Sequence, residues 1–324
     1  MKSQIFQINC TTRSGKMQQE TNDQIFGSFQ NLQIPKQESV CLDVQCCNNQ
    51  IIASIYKNNK IAIYNYKTNT NFEIESEKLL YSSTFSHPDS LNKNQLYLFG
   101  QSIQILDLEK QIISHQINTE FSYCGDSNIW NEVCVANEKT LLFWDIRQKL
   151  PFNCILAHSM QITQCKYNET GRYITTTGLD NCARVFDSYG TDSLVTICGS
   201  KKTHTTSSQF IRDSKHLIVS TLEQPLGLWD WVECNLVAQY KIQYQNRFFI
   251  KPIVIYDEKG IPNFILYPND ANQIYLFNFL KPDDKPLIQQ LDQFGNDIPV
   301  RLLKNDEDYL LFGKNDIIKC KRKF

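Results

Sequence analysis

Residues 143–147 read FWDIR, and the same Trp-Asp pair returns at residues 229–230. A related Phe-Asp pair lies between them at residues 186–187. Measured between the aromatic members, the intervals are 42 and 43 residues. A near-constant interval of this length indicates an internal repeat. The pair is therefore first a sign of architecture, and any chemistry has to be argued separately.

Weaker copies of the pair extend the series in both directions. They lie at Tyr64-Asn65, Leu106-Asp107, Phe277-Asn278 and Cys320-Lys321. The seven positions are separated in turn by 42, 38, 42, 43, 48 and 43 residues. Blades of a β-propeller repeat at about 40–45 residues, so the series predicts seven blades.

The residues within each period read as β-strands. Each pair ends an alternating run, such as KIAIYN at residues 60–65 or TLLFWD at 140–145. A second apolar run precedes it, such as EVCVAN at 132–137, and a short turn rich in Asn, Asp, Gly and Lys separates the two. Alternating runs joined by such turns are typical of hairpins, and no helical periodicity is sustained. The sequence predicts an all-β fold with four short strands per repeat.

The clearest repeat spans residues 157–187, AHSMQITQCKYNETGRYITTTGLDNCARVFD, and resembles the WD40 family. In that family a His, a Ser or Thr, an Asp and a Trp form a buried hydrogen-bonded set within a blade. The matching residues are His158, Thr176 and Asp180, while Phe186 stands at the Trp position. The resemblance implies a structural role for these side chains.

The resemblance implies a seven-bladed WD40 β-propeller over residues 27–324, preceded by a polar extension at residues 1–26. Only four residues follow Cys320, too few for a fourth strand in the last blade. Residues 28–34, SFQNLQI, are therefore expected to supply that strand and close the ring. Closure removes exposed strand edges, which otherwise favour aggregation.

Composition sets limits on partners and location. The 324-residue chain has a net charge of -1, so no overall field attracts nucleic acid or acidic lipid. It holds no apolar run of about 18 residues and no signal-peptide pattern. The twelve cysteines are scattered without zinc-ligand spacing. We expect reduced cysteines that fill the core of an intracellular protein, in the nucleus or cytoplasm.

Catalytic motifs are not found in the sequence. Phosphate-binding glycine loops and the G-x-S-x-G elbow are missing, and His158 beside Asp180 is the one candidate base. An enzyme with a dispersed active site is the remaining catalytic alternative. We predict no catalytic residue, no cofactor and no metal site. The expected protein is a non-catalytic scaffold or interaction subunit of a multiprotein complex, a monomeric propeller that binds proteins or peptides.

One subfamily resemblance suggests a peptide site. Residues 154–231 most resemble the WD-repeat subunit of histone H3 lysine 4 methyltransferase complexes, which holds an arginine between two phenylalanines. The matching positions are Phe121 and Phe249, whereas Phe99 replaces an expected acidic residue. The alternative is that Phe121, Phe248 and Phe249 simply pack between blades.

A second resemblance concerns residues 144–147. Trp144-Asp145-Ile146-Arg147 matches the W-D-x-R box of WD40 substrate receptors in cullin-4 ubiquitin ligases. The resemblance implies that Arg147 contacts the ligase adaptor. The alternative is that Arg147 is an ordinary residue on the rim of its blade.

Overall fold

The computed structural model describes most of the chain. The described residues are 26–31, 39, 41–47, 51–65, 68–90, 94–198, 204–222, 225–242, 251–269, 271, 273–291, 301–305, 308–312 and 317–322. These residues contain β-strands and no helix, and hence no helix that could cross a membrane.

The strands are short, mostly four to seven residues. In chain order they are β1 Phe26–Asn31, β2 Cys41–Cys47, β3 Ile51–Tyr56, β4 Lys60–Asn65, β5 Thr70–Glu75, β6 Leu80–Phe85, β7 Gln95–Gly100, β8 Ser102–Asp107, β9 Ile112–Asn118, β10 Cys124–Ser127, β11 Glu132–Asn137, β12 Thr140–Asp145, β13 Asn153–Leu156, β14 Ile162–Tyr167, β15 Tyr173–Gly178, β16 Cys182–Asp187, β17 Ser193–Cys198, β18 Thr205–Phe210, β19 His216–Thr221, β20 Leu226–Asp230, β21 Asn235–Tyr240, β22 Ile253–Tyr256, β23 Pro262–Pro268, β24 Gln273–Asn278, β25 Leu287–Gln290, β26 Arg301–Asn305, β27 Asp308–Phe312 and β28 Ile317–Arg322.

These strands form four-stranded antiparallel sheets that follow one another along the chain. Six sheets consist of four consecutive strands each, from β2–β5 to β22–β25. A seventh sheet has the order β1-β28-β27-β26. The all-β propeller prediction is confirmed, and the arrangement is consistent with a WD40-type propeller. In each of the six sheets made of consecutive strands, the first strand lies at one edge and the fourth strand at the other.

The N-terminal strand joins the two ends of the chain. β1 pairs antiparallel with β28, with Phe29 opposite Cys320 and Asn31 opposite Ile318. The sequence placed the added strand at residues 28–34, but the strand begins at residue 26 and ends at residue 31. The bounds differ because the register runs from Ile318 to Arg322 of β28, which the sequence pattern of β1 cannot reveal. Residues 1–25, almost all of the predicted polar extension, lie outside the described residues.

The core lies between neighbouring sheets. Phe143 of one sheet and Phe186 of the next are buried in one cluster with Cys134, Cys165 and Leu141. Trp144 faces the other way and packs with Tyr97, Phe99 and other residues of the preceding sheet. Alternate residues of β12 thus serve two different inter-sheet cores, as the period of a strand requires. The Trp-Asp pair is part of this packing.

The cysteines differ in part from the prediction. Cys182 and Cys198 form a disulfide, whereas the sequence suggested that all cysteines are reduced. The two residues are register partners on β16 and β17, with their Cα atoms 4.2 Å apart, close enough for a disulfide. Sequence spacing could not show this, because it depends on strand register. Cys124, Cys134 and Cys165 are buried free thiols, as expected of core residues.

Candidate functional site

The structure brings His158, Thr176 and Asp180 together within one sheet. Nδ1 of His158 is 2.8 Å from Oδ1 of Asp180, and Nε2 is 2.8 Å from Oγ1 of Thr176. The sequence analysis missed a fourth member, Arg184, whose Nη1 donates to Oδ2 of Asp180 at 2.8 Å. Phe186, at the Trp position, is buried and contributes packing only.

Burial decides the electrostatics of this network. The side chain of His158 has no exposed surface. Burial lowers the pKa of His158, and this outweighs the opposite effect of the Asp180 carboxylate. Burial alone raises the pKa of Asp180, but hydrogen bonds from His158 and Arg184 lower it to about 2. A neutral, fully buried His158 cannot contact a substrate from solution, so its geometry fits a structural role.

This state of His158 predicts a pH-dependent stability. A His in the unfolded chain has a pKa of about 6.5. Because the pKa of His158 in the folded protein is lower, the unfolded chain binds more protons than the folded protein does as the pH falls below that value. Stability from neutral His158 is complete above the unfolded pKa and decreases as the pH falls. We expect the wild-type melting temperature to fall between about pH 7 and pH 5, and to fall less in His158→Gln. Thermal melts of both proteins across this pH range test the prediction. The other four histidines are present in both, so an equal dependence of melting temperature on pH in wild type and His158→Gln contradicts it.

Polar side chains join the first strands of neighbouring sheets. Asp126 accepts a hydrogen bond from the Tyr167 amide at 2.9 Å, and Asp43 accepts one from the Ser83 amide at 2.7 Å. Gln164 accepts from the amide of Ser208 at 3.2 Å. Such acceptors satisfy buried amides at the sheet junctions. The sequence analysis overlooked them, although they follow the blade period.

Phe121 lies in an aromatic cluster just before β10. Its ring centroid is 6.3 Å from that of Tyr81, with the planes at 52°, and Tyr81 lies 5.4 Å from Tyr123 at 44°. Phe121 is 41% exposed, so it does not simply pack between blades. The rings are tilted and do not form a parallel pair. Phe248 and Phe249 lie outside the described residues.

The resemblance expects an acidic residue near the aromatic cluster, and Phe99 stands at that position. Phe99 is fully buried, and its ring occupies the space that a Cβ of Gly125 would need. The carboxylate adjacent to Phe121 in the chain is that of Glu120, which is exposed and accepts a hydrogen bond from Asn137 Nδ2 at 2.8 Å.

Arg147 lies at the other end of the ring, after β12. Its Nε and Nη2 donate to the two carboxylate oxygens of Asp145 at 2.8 and 2.7 Å. These hydrogen bonds from Arg147 lower the pKa of Asp145. The Arg147 side chain is 69% exposed while that of Asp145 is 14% exposed. The guanidinium is thus held in one orientation with its outer side open to a partner.

A pocket of about 290 Å³ opens at the same end as Arg147. It is lined by Gln45, Thr84, Phe85, Ser86, His87, Pro88, Asp126, Ser127, Tyr167, Asn168 and Glu169. It has two carboxylates, and Asp126 pairs with Lys166 while Glu169 pairs with Arg212. Among the described residues, no three His, Cys, Asp or Glu side chains converge in a way that could hold a metal ion. The pocket offers hydrogen-bonding groups without an evident nucleophile.

These features define a β-propeller whose distinctive groups lie on the loops at the two ends of its sheets, an arrangement typical of protein-interaction scaffolds. No protein-family model and no curated protein matches this chain. The fold and the local geometry therefore carry the functional argument.

Proposed function

We propose that this protein is a non-catalytic subunit that binds other proteins within an intracellular multiprotein complex. It enters that complex as a monomeric propeller. The proposed ligand is a peptide whose arginine side chain contacts the aromatic cluster of Tyr81, Phe121 and Tyr123. The resemblance to the WD-repeat subunit of histone H3 lysine 4 methyltransferase complexes makes a histone-like peptide in the nucleus the preferred ligand.

One observation carries this proposal, the exposure of Phe121 beside two further aromatic rings. A guanidinium is attracted to the face of an aromatic ring, and the contact contributes about 0.5–2 kcal/mol. The ring centroid of Tyr81 lies 6.3 Å from that of Phe121 and 5.4 Å from that of Tyr123, on the side of β10 where the strand begins. Because Phe99 supplies no charge, we expect modest affinity.

The non-catalytic part of the proposal rests on how the candidate groups are engaged. His158, the histidine whose partner Asp180 the sequence indicated, is buried within its sheet. Asp126 in the pocket is paired with Lys166. Neither side chain is free to exchange a proton with a bound substrate, as general acid–base catalysis requires.

Replacement of Phe121 tests the peptide site. We expect Phe121→Ala to weaken binding of a labelled, arginine-containing histone H3-like peptide by about ten-fold, the loss of one cation–π contact of about 1.4 kcal/mol. Fluorescence anisotropy measures the dissociation constant. The matched control is Met160→Ala, an exposed apolar residue on a loop at the same end of the ring. Equal affinity of Phe121→Ala and wild type contradicts the proposal.

The exposed, oriented guanidinium of Arg147 supports a second candidate, a substrate receptor of a cullin-4 ubiquitin ligase. In that case Arg147→Ala abolishes co-purification with the ligase adaptor. Arg172→Ala is the matched control, because Arg172 is 64% exposed and also pairs with a strand-end aspartate, Asp187. Retention of the adaptor by Arg147→Ala, or its equal loss from both variants, excludes this candidate.

A further inference from the structure

Two adjacent loops of the sheet β10–β13 form a surface at the end of the ring opposite Phe121. The first, residues 128–131, follows β10, and the second, residues 146–152, follows β12. They lie side by side, since Glu132 and Asp145 are register partners and the Ile146 amide donates to the Asn131 carbonyl at 3.3 Å. The loops therefore present one continuous surface.

Large apolar side chains are exposed on this surface. Trp130 is 59% exposed and Leu150 is 75% exposed. Tyr189, from the loop after β16, is 65% exposed and reaches across to donate its hydroxyl to Glu132. Trp, Tyr and Arg are the residues most enriched among binding hot spots. All three occur here together, at Trp130, Tyr189 and Arg147.

The surface is held in place by hydrogen bonds and stacking. Oδ1 of Asn128 accepts from the amides of Trp130 at 2.9 Å and Glu132 at 3.0 Å, which fixes the loop that carries Trp130. The ring of Tyr189 stacks on Phe152 at 5.4 Å. Because these groups are already ordered, they lose less conformational entropy when a partner binds. Such preorganisation favours a binding surface over an incidental exposed residue.

The charges of the two loops have one sign. Residues 128–131 and 146–152 include Arg147 and Lys149 but no Asp or Glu. The carboxylates that flank these two loops lie underneath, since Glu132 is buried and Asp145 is 14% exposed beneath Arg147. An approaching partner therefore meets cations and apolar groups first.

We propose that this docking surface, made of Trp130, Arg147, Lys149, Leu150 and Tyr189, binds an acidic segment of a partner protein that also carries apolar side chains. Complementary charge and hot-spot residues together specify that chemistry. A nucleic-acid backbone or an anionic bilayer is disfavoured, because affinity for either rises with the number of cations. The two loops supply only two cations, Arg147 and Lys149.

The test uses two labelled synthetic peptides with the full-length protein. One alternates Glu with Leu and Phe, and the other has Lys at every Glu position. We expect the acidic peptide to bind, the basic peptide not to bind, and Trp130→Ala to weaken binding by at least about ten-fold. Lys149→Glu weakens it as well. Leu280→Ala is the control, an equally exposed apolar residue on a loop at the same end.

Four results overturn the inference, and three of them concern the peptides. They are equal binding of both peptides, binding of the acidic peptide that Trp130→Ala leaves unchanged, and no binding of the acidic peptide. Tighter binding of single-stranded RNA or of anionic vesicles than of the acidic peptide also overturns it. Thermal melts of each variant exclude unfolding as the cause of a loss. Because Phe121→Ala leaves this surface intact, failure here and failure of the arginine-peptide site are distinguishable.

Discussion

Deletion of residues 1–40 is expected to produce a protein that melts at a much lower temperature and aggregates. The deletion removes β1, which pairs with β28 from Phe26 opposite Arg322 to Asn31 opposite Ile318. Each backbone hydrogen bond lost costs about 0.5–1.5 kcal/mol, so the strand contributes several kcal/mol. The whole stability of a domain is about 5–15 kcal/mol, and the loss is a large part of it.

Aggregation follows from the same change. Without β1, the backbone of β28 becomes a free strand edge, which is a template for pairing with other chains. The matched control is deletion of residues 1–25, which leaves β1 complete. Thermal melting and light scattering compare the two truncations. If both melt together with the full chain and neither aggregates, ring closure by β1 does not stabilise the protein.

The second large effect is expected from Asp180→Ala. The Asp180 carboxylate, 6% exposed, accepts hydrogen bonds from Arg184 Nη1 and the Ser159 amide and lies 2.8 Å from His158 Nδ1. Its removal leaves Arg184 without its ion-pair partner beside a fully buried imidazole. Breaking a buried pair on one side costs about 3–5 kcal/mol. We expect the melting temperature to fall by roughly 10 °C.

Asp192→Ala provides the control for Asp180→Ala. Asp192 belongs to the same sheet but is exposed, and its side chain accepts only from Thr191 Oγ1. Surface substitutions of this kind usually change stability by less than about 0.5 kcal/mol. Urea unfolding of both variants gives the difference directly. Comparable losses in the two proteins show that the network around Asp180 is not a stabilising element.

Prediction from sequence succeeded within the repeats. The hairpin of β15 and β16 and the meeting of His158 with Asp180 depend on residues in one sheet, at a spacing set by the repeat. The same reasoning missed Arg184, because the family resemblance names only the His, the Ser or Thr, the Asp and the Trp of the set. It also misplaced the ends of β1, whose extent is set by pairing with β28 at the far end of the chain.

For the candidate sites, the sequence indicated individual residues, and only the structure revealed their neighbours. The family resemblances singled out Phe121 and Arg147 as individual residues, but they did not reveal Tyr81 beside Phe121 or the Asp145 carboxylate beneath Arg147. Trp130 was not noticed at all, since a single aromatic residue in a loop breaks no pattern. Its exposure is known only once the neighbouring loops are in place.

The amino-acid sequence by itself determined the period and the strands. These depend on alternation and spacing along the chain, which are local and repeat with each blade. Tertiary structure alone decided the pairing of Cys182 with Cys198, the reach of Tyr189 to Glu132 and the exposure of Trp130. Strand register and the packing of one sheet against the next bring these groups together, and no short-range pattern encodes either.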